Sequence, residues 1–212
     1  MTSALLKAIK VSALFIVFFP ASSAFGKAPD SPECLKYGGS GINAASAYPG
    51  FVYRVPVRVH LGESRRPVSE FGAVLGEINR IWHRQAGICF EFERVMDDET
   101  IPGGFDLWFG PEADGYNGYY EGPHHIRVRD HPDLMHADFP SRHPAARTAA
   151  HELGHALGLG HRQDSDENLM RSKTLGWRLN AEEVLKARMR AAELLNSHGA
   201  ARGPLRMTGP AL

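Results

Sequence analysis

Hydrophobic and polar residues alternate along several stretches of the chain with the period of two that is typical of half-buried strands. These stretches are residues 51–61, 88–95 and 105–109, and the shorter segments 116–120 and 125–129 are further candidates whose order and pairing stay open. Pro56 lies inside the first stretch and favours a sheet edge or a bulge there, because proline has no N–H to give to a neighbouring strand.

Apolar residues recur at helical spacing in three other segments. Residues 68–86 carry one apolar face and predict an amphipathic helix. Residues 141–157, with Pro144 in the first turn, are apolar on nearly every side, which indicates a helix buried under a sheet. Asn180 is placed to cap a last helix, and Glu183 is placed to complete a capping box with it.

These elements together predict one α+β domain over residues 51–196. An irregular lead-in that is rich in Gly, Ser, Ala and Pro precedes it at residues 27–50, and a loose tail follows it at residues 197–212. The total length of 212 residues is ordinary for a single domain with a substantial core. A second domain is therefore not required.

Charge and the N-terminal residues restrict the class of protein. Basic and acidic residues number 24 each, and the pI is about 7.2, so no overall charge steers the protein toward nucleic acid or an anionic membrane. Residues 1–26 place two lysines beside a short apolar run that ends in Pro20 and small residues, as in a secretory signal peptide. The run is shorter than the about 20 residues that a membrane span needs, so we expect no retained anchor. We expect a secreted monomer, extracellular or periplasmic.

Cys34 and Cys89 are the two cysteines of the chain. Thiols of an exported protein enter an oxidising compartment, which favours a disulfide between this pair. An alternative is that Cys34 acts as a thiolate that blocks a zinc ion in a latent form.

The most informative part of the sequence is HELGHALGLGH, which begins at His151. Residues four apart share a helix face, so His151 and His155 can point to a common metal ion. Gly158 permits the backbone turn that would end the helix and return the chain, which makes His161 a third ligand. Three neutral nitrogen ligands leave a fourth position for water, as in catalytic zinc sites. Glu152 would then be the general base that takes a proton from this water.

This motif resembles the zinc-binding sequence of metzincin metallopeptidases. Asn168-Leu169-Met170 is similar to the methionine turn of that family, in which Met170 would form an apolar floor under the imidazoles. The short gap between His161 and Met170 is most similar to the matrixin-like branch, including its compact bacterial members. The resemblance implies a twisted mixed sheet of four or five strands on two long helices, with a small C-terminal subdomain that ends in a helix.

The resemblance also implies a function. A metzincin binds a peptide or protein substrate in a cleft, extended along an edge strand. We therefore expect a secreted zinc-dependent endopeptidase with one catalytic zinc ion. The chain departs from the family at Arg162 and Arg171, which follow the third histidine and the methionine, and it offers no tyrosine there as an extra ligand.

Three alternatives stay open. A downstream carboxylate, Glu182 or Glu183, could replace His161 as the third ligand, although both are better explained as first-turn charges of the last helix. The protein could instead be a zinc-stabilised binding or toxin module with a vestigial protease site. A second, structural metal is conceivable but not predicted from a polar cluster before the motif, which comprises His124, His125, His131, Asp133, His136, Asp138 and His143.

Overall fold

A computed structural model of the chain describes residues 34, 52–95, 104–111, 115–131, 143–172 and 176–201. Its elements are strands β1 (Tyr53–His60), β2 (Ile88–Val95), β3 (Phe105–Gly110), β4 (Gly118–Tyr120) and β5 (Ile126–Arg129), and helices α1 (Val68–Ala86), α2 (Pro144–Ala156) and α3 (Ala181–Ala201). The predicted signal peptide lies outside the described residues, as does the lead-in apart from Cys34. No helix among the described residues has both the length and the apolar character that crossing a membrane requires.

The five strands form one mixed sheet in the order β2-β1-β3-β5-β4. All neighbouring pairs are parallel except β4 and β5, which are antiparallel. The strand order places β2 and β4 at the two edges of the sheet. The α+β class and the mixed sheet are therefore confirmed. The two segments whose pairing the sequence left open are β4 and β5.

The expectation that Pro56 marks a sheet edge is wrong, because β1 lies inside the sheet between β2 and β3. Pairing with β3 begins only at Val57, opposite Phe105. The ladder between β1 and β3 has therefore not yet started at position 56, and the missing N–H of Pro56 costs no hydrogen bond to β3.

One face of the sheet forms the core with α1 and α2. Helix α1 contacts β2, α2 contacts β4 and β5, and the two helices contact each other. Trp82 of α1 is fully buried, packs edge-on against Phe90 of β2, and donates its indole N–H to the carbonyl of Ala150 in α2 over 3.1 Å. The core therefore fixes α2, the helix that carries the motif, against both the sheet and α1.

The disulfide between Cys34 and Cys89 is confirmed, with a Cα–Cα distance of 6.0 Å. It attaches the lead-in to the edge strand β2, and the Arg54 guanidinium donates a hydrogen bond to the Cys34 carbonyl over 3.0 Å. Because its sulfur is bonded to Cys89, Cys34 is not a free thiolate, and its proposed role as a blocking zinc ligand is ruled out in this structure.

The last helix is longer than predicted. The capping box forms, since the Asn180 side chain accepts from the Glu183 N–H over 2.9 Å and the Glu183 carboxylate accepts from the Asn180 N–H over 2.8 Å. The helix then runs to Ala201, five residues into the segment 197–212 that was expected to be a loose tail. No proline interrupts the chain before Pro204, so nothing in the sequence forces an earlier end.

Candidate metal centre

Helix α2 places two of the predicted ligands side by side. His151 and His155 lie one helical turn apart, with their ring centroids 4.8 Å apart and their Nε2 atoms separated by 3.2 Å. Each ring is oriented by a backbone carbonyl, because His151 Nδ1 donates to Leu169 over 2.7 Å and His155 Nδ1 donates to Leu159 over 2.8 Å. Both Nε2 atoms therefore point to the same place.

Gly158 ends the helical stretch in the way the sequence indicated. Its φ of 80° lies in the left-handed region, and its N–H donates to the His155 carbonyl over 2.8 Å. The chain then turns back and places His161 with its Nε2 atom 3.1 Å from His155 Nε2. Loop residue His161 is exposed, whereas His151 is buried within α2.

The three histidines are compatible with a zinc site. Nitrogen ligands about 2.0–2.1 Å from a tetrahedral zinc lie roughly 3.3 Å from each other, and the observed separations are 3.2 and 3.1 Å. His151 and His155 each use their Nδ1 proton on a carbonyl, so in their neutral forms two bare Nε2 lone pairs face each other. A cation between them would satisfy this arrangement, which a hydrogen bond cannot do without a further proton.

The protonation of these histidines also suits a metal ligand, which must be neutral. Desolvation lowers the pKa of His151 to about 3, although its hydrogen bond to Leu169 opposes this effect. Desolvation also lowers the pKa of His155. Both rings are therefore neutral at pH 7, with lone pairs available for coordination.

Glu152 lies next to His151 in α2 and is 5% exposed. Desolvation raises the pKa of its carboxyl group to about 8. Within the described part of the chain, no hydrogen bond or ion pair reaches this carboxylate. A buried carboxyl group with a raised pKa and no partner among the described residues is a candidate for proton transfer.

The edge strand β4 packs directly against α2 at this point, a feature that was not predicted from the sequence. A methyl group on Gly118 would overlap Thr148 and lie 3.0 Å from Cγ of Glu152. Tyr120, two residues along the strand, stacks on His155 with ring centroids 6.4 Å apart. Gly118 itself could have indicated this contact, because a glycine inside a strand often marks the close approach of another element.

Met170 is fully buried beneath α2. A side chain at Gly154, which lies between His151 and His155 in the helix, would collide with its sulfur atom. The turn is held by the Asn168 side chain, which accepts from the Met170 N–H over 2.6 Å. Met170 thus occupies the space under the ligand helix, and its role as a floor for the imidazoles stays a prediction.

The alternative ligands Glu182 and Glu183 have other partners. Glu182 binds the Arg162 guanidinium over 2.9 Å, and the Glu183 carboxylate accepts from the Asn168 amide over 2.8 Å. Among the described residues, the only set of three or more His, Cys, Asp or Glu side chains suited to hold a metal ion is His151, His155 and His161.

Three residues of the polar cluster before the motif, Asp133, His136 and Asp138, lie outside the described residues. His124 instead belongs to a buried network on the outer face of the sheet, where its Nδ1 lies 2.6 Å from Asp106. The same carboxylate binds Arg58 over 2.6 Å and His60 over 2.8 Å. This network was not predicted from the sequence.

Comparison of the chain with family models and with curated proteins yields no match, so the likeness to metzincins rests on the motif residues themselves.

Proposed function

We propose that the protein is a secreted zinc-dependent endopeptidase of the metzincin type. The observation that carries this proposal is the convergence of three Nε2 atoms, those of His151, His155 and His161, at the helix that also carries the buried Glu152. Three histidine ligands with an open fourth position are typical of catalytic zinc, whereas structural zinc is usually enclosed by four protein ligands.

A zinc ion held by these histidines would act as a Lewis acid on water and on the peptide carbonyl, and its charge would favour the ionised form of Glu152. Glu152 accepts a proton as the water oxygen forms its bond to the carbonyl carbon. It then donates this proton to the amide nitrogen as the carbon–nitrogen bond breaks, so one water molecule is consumed for each peptide bond. The carbonyls of Leu169 and Leu159 keep the rings of His151 and His155 oriented throughout.

The substrate in this proposal is an extended peptide that adds to the edge of the sheet along β4. Support comes from the position of β4, which is the edge strand nearest to the ligand helix and contacts α2 beside Glu152. Backbone hydrogen bonds along an edge strand bind peptides of many sequences, and pockets for alternate side chains supply specificity.

The test is Glu152→Ala in the full-length chain, assayed by digestion of an unbiased peptide library. The variant is expected to fold and to retain zinc but to lose nearly all cleavage, since it lacks the proton acceptor. Glu93→Ala, on the exposed end of β2, is the matched control and should cleave as the wild type does.

Addition of a zinc chelator, followed by its removal, distinguishes a protease from a zinc-stabilised binding module. A protease loses cleavage on chelation and regains it with zinc. If the wild-type protein binds zinc and cleaves nothing in the library, the binding-module alternative is preferred. If Glu152→Ala retains full activity, the assigned mechanism is wrong.

A further inference from the structure

The third ligand of the metal centre comes from a loop rather than from a helix. Residues 161–170, called here the ligand loop, begin at the exposed His161 and end at the buried Met170. The loop is closed on itself by a backbone hydrogen bond of 3.0 Å from the Arg162 N–H to the Met170 carbonyl. Because a loop is less rigid than a helix, something outside it must fix its position relative to α2.

A buried contact holds the C-terminal end of the ligand loop. The Asn168 amide donates to both carboxylate oxygens of Glu183, over 2.8 and 3.1 Å, and Glu183 is only 4% exposed. The Oδ1 atom of the Asn168 side chain accepts a hydrogen bond from the Met170 N–H. Leu169, which lies between these two residues, provides the carbonyl that orients His151. The first turn of α3 is therefore linked by hydrogen bonds and one peptide unit to a metal ligand.

A second, exposed contact holds the N-terminal end of the loop. The Arg162 guanidinium, adjacent to His161, binds Glu182 over 2.9 Å and Asp164 over 3.0 Å. The three side chains are 34%, 81% and 57% exposed, respectively. Exposed ion pairs of this kind are weak and are screened by salt, so this contact is expected to contribute much less than the buried one.

We infer that the first turn of α3 positions the metal centre, with Glu183 and Glu182 holding the two ends of the ligand loop. Both glutamates are positioning residues rather than ligands, and the capping glutamate Glu183 therefore has a second role. The inference rests on the zinc binding in the proposed function but not on peptide hydrolysis.

The test measures the rate at which the zinc-loaded protein releases its metal to a chromogenic chelator. Loss of an outer-sphere partner of a zinc ligand typically costs about 10–100-fold in metal affinity. Asn168→Ala and Glu183→Ala are each expected to accelerate zinc release about tenfold. This is the lower end of that range, because both residues act on His151 only indirectly, through Leu169. The double variant should release zinc no faster than the worse single variant, because both remove the same contact.

Asn180→Ala is the matched control. It removes the other half of the same capping box and weakens the start of α3 without removing the Asn168 contact. Zinc release should change by less than about twofold, and the visible absorption of the cobalt-substituted protein should stay as in the wild type, whereas both should change in Glu183→Ala. Glu183→Gln, which keeps an acceptor oxygen for Asn168, should restore most of the wild-type rate and provides a test if the alanine variant does not fold.

Arg162→Ala should accelerate release about twofold at low salt and have no effect at high salt. Arg190→Ala, which breaks an exposed pair with Glu193 in the same helix, should have no effect at either salt concentration. Equal release rates in Glu183→Ala and Asn180→Ala would overturn the inference while leaving the proposed function intact. A wild-type protein that binds no zinc would overturn both.

Discussion

Asp106 and Glu152 are both carboxylates buried in the protein, but their surroundings differ. Asp106 is 0% exposed and lies within 2.8 Å of the side chains of Arg58, His60 and His124. Glu152 is 5% exposed, and its carboxylate has no hydrogen-bonding or ionic partner within the described ranges. The first carboxylate has the Arg58 guanidinium as its counter-charge. The second has no counter-charge among the residues that the structure describes.

The histidines around these two carboxylates differ in the same way. Those beside Asp106 direct a ring nitrogen at an oxygen acceptor, so their network is complete without a ligand. His151 and His155 direct bare Nε2 atoms at each other, and an added cation would resolve this arrangement. Histidines alone therefore do not indicate a metal site, and the useful criterion is whether the protein itself satisfies the groups that it buries.

Removal of one histidine from each network should produce the largest contrast. We expect His155→Ala to reduce bound zinc from near one ion per chain to near zero, because two remaining ligands cannot enclose the ion. His124→Ala should keep zinc at the wild-type level. Metal analysis after dialysis against a weak chelator measures both, and equal zinc loss in the two variants would contradict the distinction between the networks.

Removal of the buried carboxylate on the outer face of the sheet should affect stability instead. Asp106→Ala takes away the carboxylate that binds Arg58, which is 7% exposed. Breaking a buried pair by removing one partner costs about 3–5 kcal/mol, and denaturant unfolding of the zinc-loaded protein is the measurement. Provided the variant folds, its zinc content should be unchanged, and a loss of zinc in the folded variant would show that the two networks are coupled.

Much of the fold could be predicted from local patterns. The alternation around Val55, Val57 and Val59 predicts β1 because one face of the sheet meets apolar helices while the other carries Arg58 and His60. Strand order could not be predicted this way, because parallel pairing joins segments that are distant in sequence. The prediction from Pro56 was wrong for the same reason, since the hydrogen bond that Pro56 would cost depends on where β3 begins to pair with β1.

The metal ligands could be predicted because helical spacing and one glycine turn bring His151, His155 and His161 together within eleven residues. Glu183 and Gly118 could not, since their relevance to the site arises only when α3 and β4 pack against it. The sequence supports the capping role of Glu183 equally well with or without its contact to Asn168. Local geometry thus identifies the ligands, and only tertiary structure identifies what holds them.

A difference in pH dependence should sharpen the comparison of the two carboxylates. Burial raises the pKa of Glu152 from 4.5 to about 8, so between these values the folded metal-free protein holds a proton that the unfolded chain has released. The unfolding free energy therefore falls as pH rises through this range. The lowered pKa of His151, about 3, has the opposite effect below pH 6.5, where the unfolded chain binds the extra proton. Glu152 is thus expected to dominate the difference from pH 6.5 to 8.

Glu152→Gln isolates this contribution, because glutamine has nearly the same shape but does not titrate. Between pH 6.5 and 8, the metal-free wild type should lose about 1.5 kcal/mol of unfolding free energy relative to this variant, since one proton corresponds to about 1.4 kcal/mol per pH unit. Glu93→Gln, at an exposed position, should follow the wild type. Denaturant unfolding at a series of pH values measures the difference.

Zinc should reduce this pH-dependent difference, because a cation near the carboxylate favours the charged form in the folded state. Parallel curves for the metal-free wild type and Glu152→Gln would mean that Glu152 is compensated by a partner in the folded protein, as Asp106 is, and the contrast between the two carboxylates would then be lost.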